Sequence, residues 1–217
     1  MKDNDSVTRT TDFMKAKFAD ESSGHDWWHL YRVWNLAKHI ATKEKGVDLL
    51  VVELAALLHD IADWKFYDDD EAGPKAAQKW LSSIDVDPDI IAKVEDIVRH
   101  ISFKGANVKS KLSTLEGYIV SDADKLDAIG AIGIARAFAY GGSADRIMYD
   151  PDRKPKHHDS FEAYKNDKTG TINHFYDKLL LLKDRMYTKT GKQIAIHRHE
   201  FMENYLKEFY AEWEGEL

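Results

Sequence analysis

The ten residues LLVVELAALL, running from Leu49 to Leu58, constrain this chain more than any other stretch. Only Glu53 interrupts them with a charge, so the helix they build is apolar nearly all round and has to be enclosed by other elements. Asp48 stands where an N-cap belongs, and the spacing predicts a helix from there to about Ile61. The run is too short to span a bilayer. It then ends abruptly on His59, Asp60 and Asp63. A helix that reaches the surface can end this way. So can a helix that reaches a metal ion, because an enclosed carboxylate is costly unless it is paired or coordinated. Neighbouring residues on a helix point about 100° apart, which makes His59 and Asp60 poor partners for each other. They can still converge on one ion beyond the helix end.

Helical periodicity continues on both sides. Leu30, Val33, Trp34, Ala37, Ile40 and Ala41 line one face of a segment from Trp27 to Lys45, which Gly46 closes. A further helix fits 71–83, and Asp87-Pro88 opens another that runs to about Ile101. FKGANVKSK, 103–111, reads as a loop. Thr114 to Tyr140 reads as mostly helix, and the segments Thr171–Tyr187 and Ile194–Trp213 as two closing helices. The long irregular segment is 141–159. No convincing period-2 run occurs, so the expected fold is all-α. We expect a single domain over 1–217, with its core at about 24–140 and closing helices at about 160–213.

Composition narrows the chemistry. There is no cysteine among the 217 residues, which excludes disulfides, thiol catalysis, iron–sulfur clusters and cysteine-held zinc. Any metal must be held by His, Asp or Glu, a donor set that suits Mn, Mg, Fe, Co, Ni or catalytic Zn. The formal net charge of −7 argues against nucleic acid or an anionic membrane surface as the partner. The N-terminal MKDNDSVTRTTDF lacks the apolar core of a signal peptide, so a soluble cytoplasmic protein is expected.

Two other places carry ionisable groups near apolar helix faces. His25 and His29 lie four residues apart, with Arg32 three further on, so that His29 and Arg32 share one helix face. A solvated helix start would also explain them. Asp122, Asp124 and Asp127 crowd into SDADKLDAIG, where acids at a helix start could simply favour its dipole.

Taken together, His29, then His59-Asp60, then Asp124 form a pattern that resembles the HD-domain metal-dependent phosphohydrolases. The surroundings GHDWWHLYRV, AALLHDIADWK, ISFKG, TLEGYIVSDADKLDAIGAIGIARAFAYGG and HFYDKLLLL resemble the small bacterial HD hydrolases, a branch that includes a nucleotide pyrophosphohydrolase. The resemblance extends from about 24 to 213. It implies an HD/PDEase-like helical bundle with one divalent cation held by His29, His59, Asp60 and Asp124. Asp122 and Asp127 are the residues most readily confused with that last ligand.

The resemblance also implies a phosphohydrolase acting on a nucleotide or another small phosphorylated metabolite, for example a nucleoside triphosphate cleaved to monophosphate and pyrophosphate. Asp63 would activate the attacking water, and Lys65 would meet phosphate, as would Arg32 on the opposite wall. Lys104 and Arg136 are further substrate candidates. His100, the one histidine between the HD pair and Asp124, either lines the pocket or packs at a helix end, and its isolation argues for one metal rather than two. His25-Asp26 could supply an outer carboxylate and a proton carrier. A phosphodiesterase and a non-catalytic nucleotide sensor are the competing readings. The expected assembly is a monomer or homodimer.

Overall fold

A computed structural model describes residues 2–19, 26–62, 71–101, 111–153 and 170–217. Among these residues every regular element is helical, as the periodicity predicts. The helices are α1 (Lys2–Lys17), α2 (Trp27–Ala41), α3 (Leu49–Leu58), α4 (Ala72–Ser83), α5 (Pro88–Ile101), α6 (Leu115–Asp127), α7 (Gly130–Ser143), α8 (Thr171–Asp177) and α9 (Lys189–Trp213), with a 3₁₀ helix at Leu179–Arg185. No described helix is both long and apolar enough to cross a membrane. The chain clusters into two compact units whose boundary falls after Ala123, inside the continuous helix α6.

In the first unit α3 is the centre, as its composition demands. α1, α2 and α5 pack on it, and α4 packs on α5. Val52, Leu54, Ala55, Ala56, Leu57 and Leu58 are fully enclosed. Asp48 caps α3, its Oδ1 accepting from the Val51 N–H at 3.4 Å, and Asp26 caps α2, accepting from the His29 N–H at 2.8 Å. Both helices end earlier than the periodicity suggests. α2 stops at Ala41, ahead of a turn that reaches Gly46 at φ +76°, and α3 stops at Leu58. The second difference matters most. His59 is the C-cap, still with helical backbone angles, and the chain tightens into a turn, the Ile61 N–H donating to the Leu58 carbonyl at 3.0 Å, where the polar residues begin.

In the second unit α7 packs against α8 and α9, and the 3₁₀ helix packs against the same two. Thr114–Tyr140 is not one helix. It breaks at Ile129, which is extended, and at Gly130, whose φ of +77° lies in the region that favours glycine. Thr171–Tyr187 likewise divides into α8 and the 3₁₀ turns. The loop expected at 103–111 and residues 154–159 of the 141–159 segment fall almost wholly or wholly outside the described residues, while α7 continues through Ser143.

Candidate metal centre

Capping by Asp26 fixes the start of α2, and His29 follows in its first turn, facing inward with only 1% of its surface exposed. His59 sits at the end of α3 and is also buried. The two imidazoles meet edge to face with centroids 5.3 Å apart. Asp60 reaches back to both. Its Oδ2 lies 3.6 Å from His29 Nε2 and 3.4 Å from His59 Nε2, with the carboxylate side chain 17% exposed. Asp124 is carried by α6, whose Leu115–Ala123 portion belongs to the first unit. One ligand atom from each of His29, His59 and Asp124 falls within 4.8 Å of the other two.

These distances fit a divalent cation. Bonds of about 2.1 Å to a shared ion would place adjacent ligand atoms about 3.0 to 3.4 Å apart, close to the contacts Asp60 makes with the two rings. Hydrogen bonds from nitrogen to oxygen are shorter, about 2.9 Å. Tautomer chemistry points the same way. His59 Nδ1 lies 2.8 Å from the Ala56 carbonyl oxygen, which can only accept, so Nδ1 carries the proton. The lone pair of the neutral ring is then on Nε2, the atom turned toward Asp60. Imidazole and carboxylate donors suit borderline to hard divalent ions.

The acid triplet separates by helical phase. Asp122 is fully buried in the first unit. Asp127 accepts from Arg136 Nη1 at 2.7 Å, and the same nitrogen lies 3.4 Å from the Asp127 carbonyl oxygen. Asp124 is the member that shares the cluster with His29 and His59. Arg136, expected near the substrate, is thus engaged with Asp127. Arg32 is half-buried one turn after His29. His100 ends α5 with Nδ1 3.1 Å from Asp96 Oδ1. His25, Asp63, Lys65 and Lys104 lie outside the described residues.

One residue of consequence carried no signal in the sequence pattern. Arg198, in the middle of α9, donates from Nη1 to the Leu126 carbonyl at the end of α6. Its separation from that carbonyl along the chain, 72 residues, hides the contact from any local pattern.

Comparison with known proteins places this geometry in context. The profile of the HD domain family matches residues 27–129, which include His29, His59, Asp60 and Asp124. YpgQ of Bacillus subtilis is 36% identical over 99% of this chain and 97% of its own length. A crystal structure described as an HD-superfamily hydrolase from Bacillus thuringiensis superimposes with a TM-score of 0.78 at 38% identity, covering 98% of this chain and 99% of the other. The crystal structure of Bacillus subtilis YpgQ in complex with ADP gives a TM-score of 0.76 at 33% identity, over 96% and 98% of the two chains.

Proposed function

This chain belongs to the HD superfamily of hydrolases, and we propose that within it the protein is a divalent-metal-dependent phosphohydrolase of nucleotides or another small phosphorylated metabolite. His29, His59, Asp60 and Asp124 are the proposed ligands. The observation that carries the reading is the meeting of two buried imidazoles, with Asp124 within 4.8 Å of both and the Asp60 carboxylate 3.4 and 3.6 Å from their Nε2 atoms. ADP in the related YpgQ supports a nucleotide as the ligand class. The narrower form is cleavage of a nucleoside triphosphate to monophosphate and pyrophosphate. There a water oxygen bonds to the α-phosphorus, the bond to the bridging oxygen breaks, and pyrophosphate departs.

When bound, the cation supplies an acidified water and polarises the phosphoryl oxygen. The chain supplies the rest. The Ala56 carbonyl holds the His59 ring in the tautomer that offers Nε2. Arg32, on the His29 face of α2, meets phosphate oxygens with a guanidinium fork. Asp63 takes the proton of the attacking water, and Lys65 and Lys104 neutralise phosphate charge. His100, near the end of α5, is the candidate for a further substrate contact. Arg136 is assigned to Asp127 rather than to the substrate, because that carboxylate already takes its Nη1.

The test is a panel of nucleoside tri-, di- and monophosphates and a cyclic nucleotide, incubated with the protein and Mn²⁺, with products resolved by chromatography. Turnover by the wild type that vanishes in Asp60→Ala is the expected result, and the product identifies the bond. Cleavage of the cyclic nucleotide alone would make the protein a phosphodiesterase. Nucleotide binding without turnover, equal in both proteins, would make it a sensor.

A further inference from the structure

Two guanidinium groups from different helices meet the last turn of α6. Arg136, from α7, takes the Asp127 carboxylate, and Arg198, from α9, takes the Leu126 carbonyl. That carbonyl also accepts the Ile129 N–H at 3.2 Å, in the tightened turn that closes α6. A helix end exposes carbonyls with a partial negative charge, and cationic donors are the groups that satisfy it. Asp124 stands in that same turn, two residues before Leu126.

The approach of Arg198 is built in rather than incidental. A Cβ added to Gly130 would stand 2.9 Å from Arg198 Cγ and 3.1 Å from its Cβ. Glycine at that point serves two needs at once, the positive φ and room for the arginine stem. Burial pushes the Arg198 guanidinium below its usual range, and the charge of Asp127 pulls it back. A guanidinium is costly to bury, so its donors have to be used.

We infer that Arg198 is a positioning residue for Asp124: by capping the Leu126 carbonyl it holds the last turn of α6, so that the C-terminal helix α9 sets the geometry of a ligand some seventy residues earlier. This rests on the reading of Asp124 as a metal ligand. The link runs through backbone. If the last turn of α6 loosens, Asp124 turns with it, and the cation loses a ligand that only a held helix end keeps in place.

The test is Mn²⁺ affinity of the full-length protein by calorimetry, well below the melting temperature, alongside thermal melts without metal. Arg198→Met keeps the apolar stem and removes the donors. It is expected to weaken Mn²⁺ binding by about tenfold, the scale of an outer partner's loss. Arg198→Lys, which can still donate to one carbonyl, is expected to bind more tightly than Arg198→Met. A methionine variant that melts lower but binds Mn²⁺ like the wild type overturns the inference, as does equal weakness in both variants. Should Arg198→Met fail to fold, Gly130→Ala, which displaces the stem, takes its place, and unchanged Mn²⁺ affinity there overturns it as well. Asp124→Ala separates the two claims. If it binds Mn²⁺ normally, the ligand reading itself fails. If it loses binding while Arg198→Met does not, only the role of Arg198 falls.

Discussion

The carboxylates of Asp60 and Asp127 face the same physical problem with different company. Asp127, with its side chain 3% exposed, has a guanidinium nitrogen 2.7 Å away. Asp60, 17% exposed, has two imidazole nitrogens at 3.4 and 3.6 Å. Arginine carries its charge at every physiological pH, so the Asp127 site is closed by the chain's own cation. The Ala56 carbonyl engages Nδ1 of the His59 ring, which leaves Nε2 as the atom turned toward Asp60. One site is a finished ion pair. The other is a carboxylate beside two imidazoles at distances longer than an ordinary hydrogen bond, the arrangement read above as a cation site. The residue types alone, carboxylates among basic side chains, do not distinguish the two. Distance and orientation do.

That contrast can be broken by experiment, and the largest effect belongs to activity. Asp60→Ala and His59→Ala are expected to lower nucleotide hydrolysis by at least about a hundredfold, beyond what loss of an outer partner produces. Near-wild-type turnover in either variant, on the panel above, would remove the cation from the explanation. The next effect is on stability. Asp127→Ala removes the carboxylate that the Arg136 guanidinium donates to and should cost about 1.5–3 kcal/mol in denaturant unfolding. Asp124→Asn, measured without metal, should cost clearly less. Equal losses in the two variants would mean that both carboxylates are plain structural partners.

An effect of similar size sharpens the same distinction. Mn²⁺ at a hundred times its Kd should stabilise the wild type by about 2.7 kcal/mol, and a chelator should reverse it. Asp60→Ala should show no such gain, whereas Asp127→Ala, if folded, should keep most of it. The same melts test whether residues 1–217 form one domain. A single transition that shifts with Mn²⁺ fits one cooperative unit, whereas a second transition indifferent to Mn²⁺ would divide the chain at α6.

The sequence made one half of this contrast legible and hid the other. His59 and Asp60 stood out because an apolar run of ten residues delivered them to a place where charge is costly. Asp124 did not separate from Asp122 and Asp127 by composition, since all three are acids in one short segment. They separate only in the fold, where Asp122 is buried, Asp124 lies near His29 and His59, and Asp127 takes the Arg136 guanidinium, which is tertiary information. The fold class was readable from periodicity, yet α1 was missed. Its residues are mainly polar, and the signal is only Val7, Thr10 and Met14 at helical spacing, all three buried. Thr10 is satisfied by the Trp80 Nε1–H at 3.0 Å, and Phe13 stacks on the same ring at 3.9 Å, so a helix of low hydropathy is held by contacts far along the chain. The α6–α7 break was hidden for a related reason. Gly130 reads as a weak helix residue until its positive φ and the Arg198 stem beside it are known.

The smallest effect concerns a third kind of pairing, near the surface. Arg99 forks onto Glu71, donating from Nε to Oε1 at 3.0 Å and from Nη2 to Oε2 at 2.9 Å, and Nη2 also donates to Glu95 Oε1 at 2.7 Å. Glu71 precedes α4 but makes no side-chain cap there, so its carboxylate serves α5 instead. The hydrogen bond from Arg99 holds the Glu71 carboxyl below its ordinary range. A carboxyl depressed in the folded state adds stability above its unfolded pKa and loses it as pH falls through the folded one. Wild type should therefore exceed Glu71→Gln slightly at neutral pH, and the gap should close in acid. Because the pair is exposed to solvent, high salt should shrink the gap as well. Salt should leave the larger cost of Asp127→Ala almost untouched, since buried pairs are screened far less. If salt erased both differences alike, burial would not be what separates Asp127 from the surface pairs, and the comparison with Asp60 would lose its physical basis.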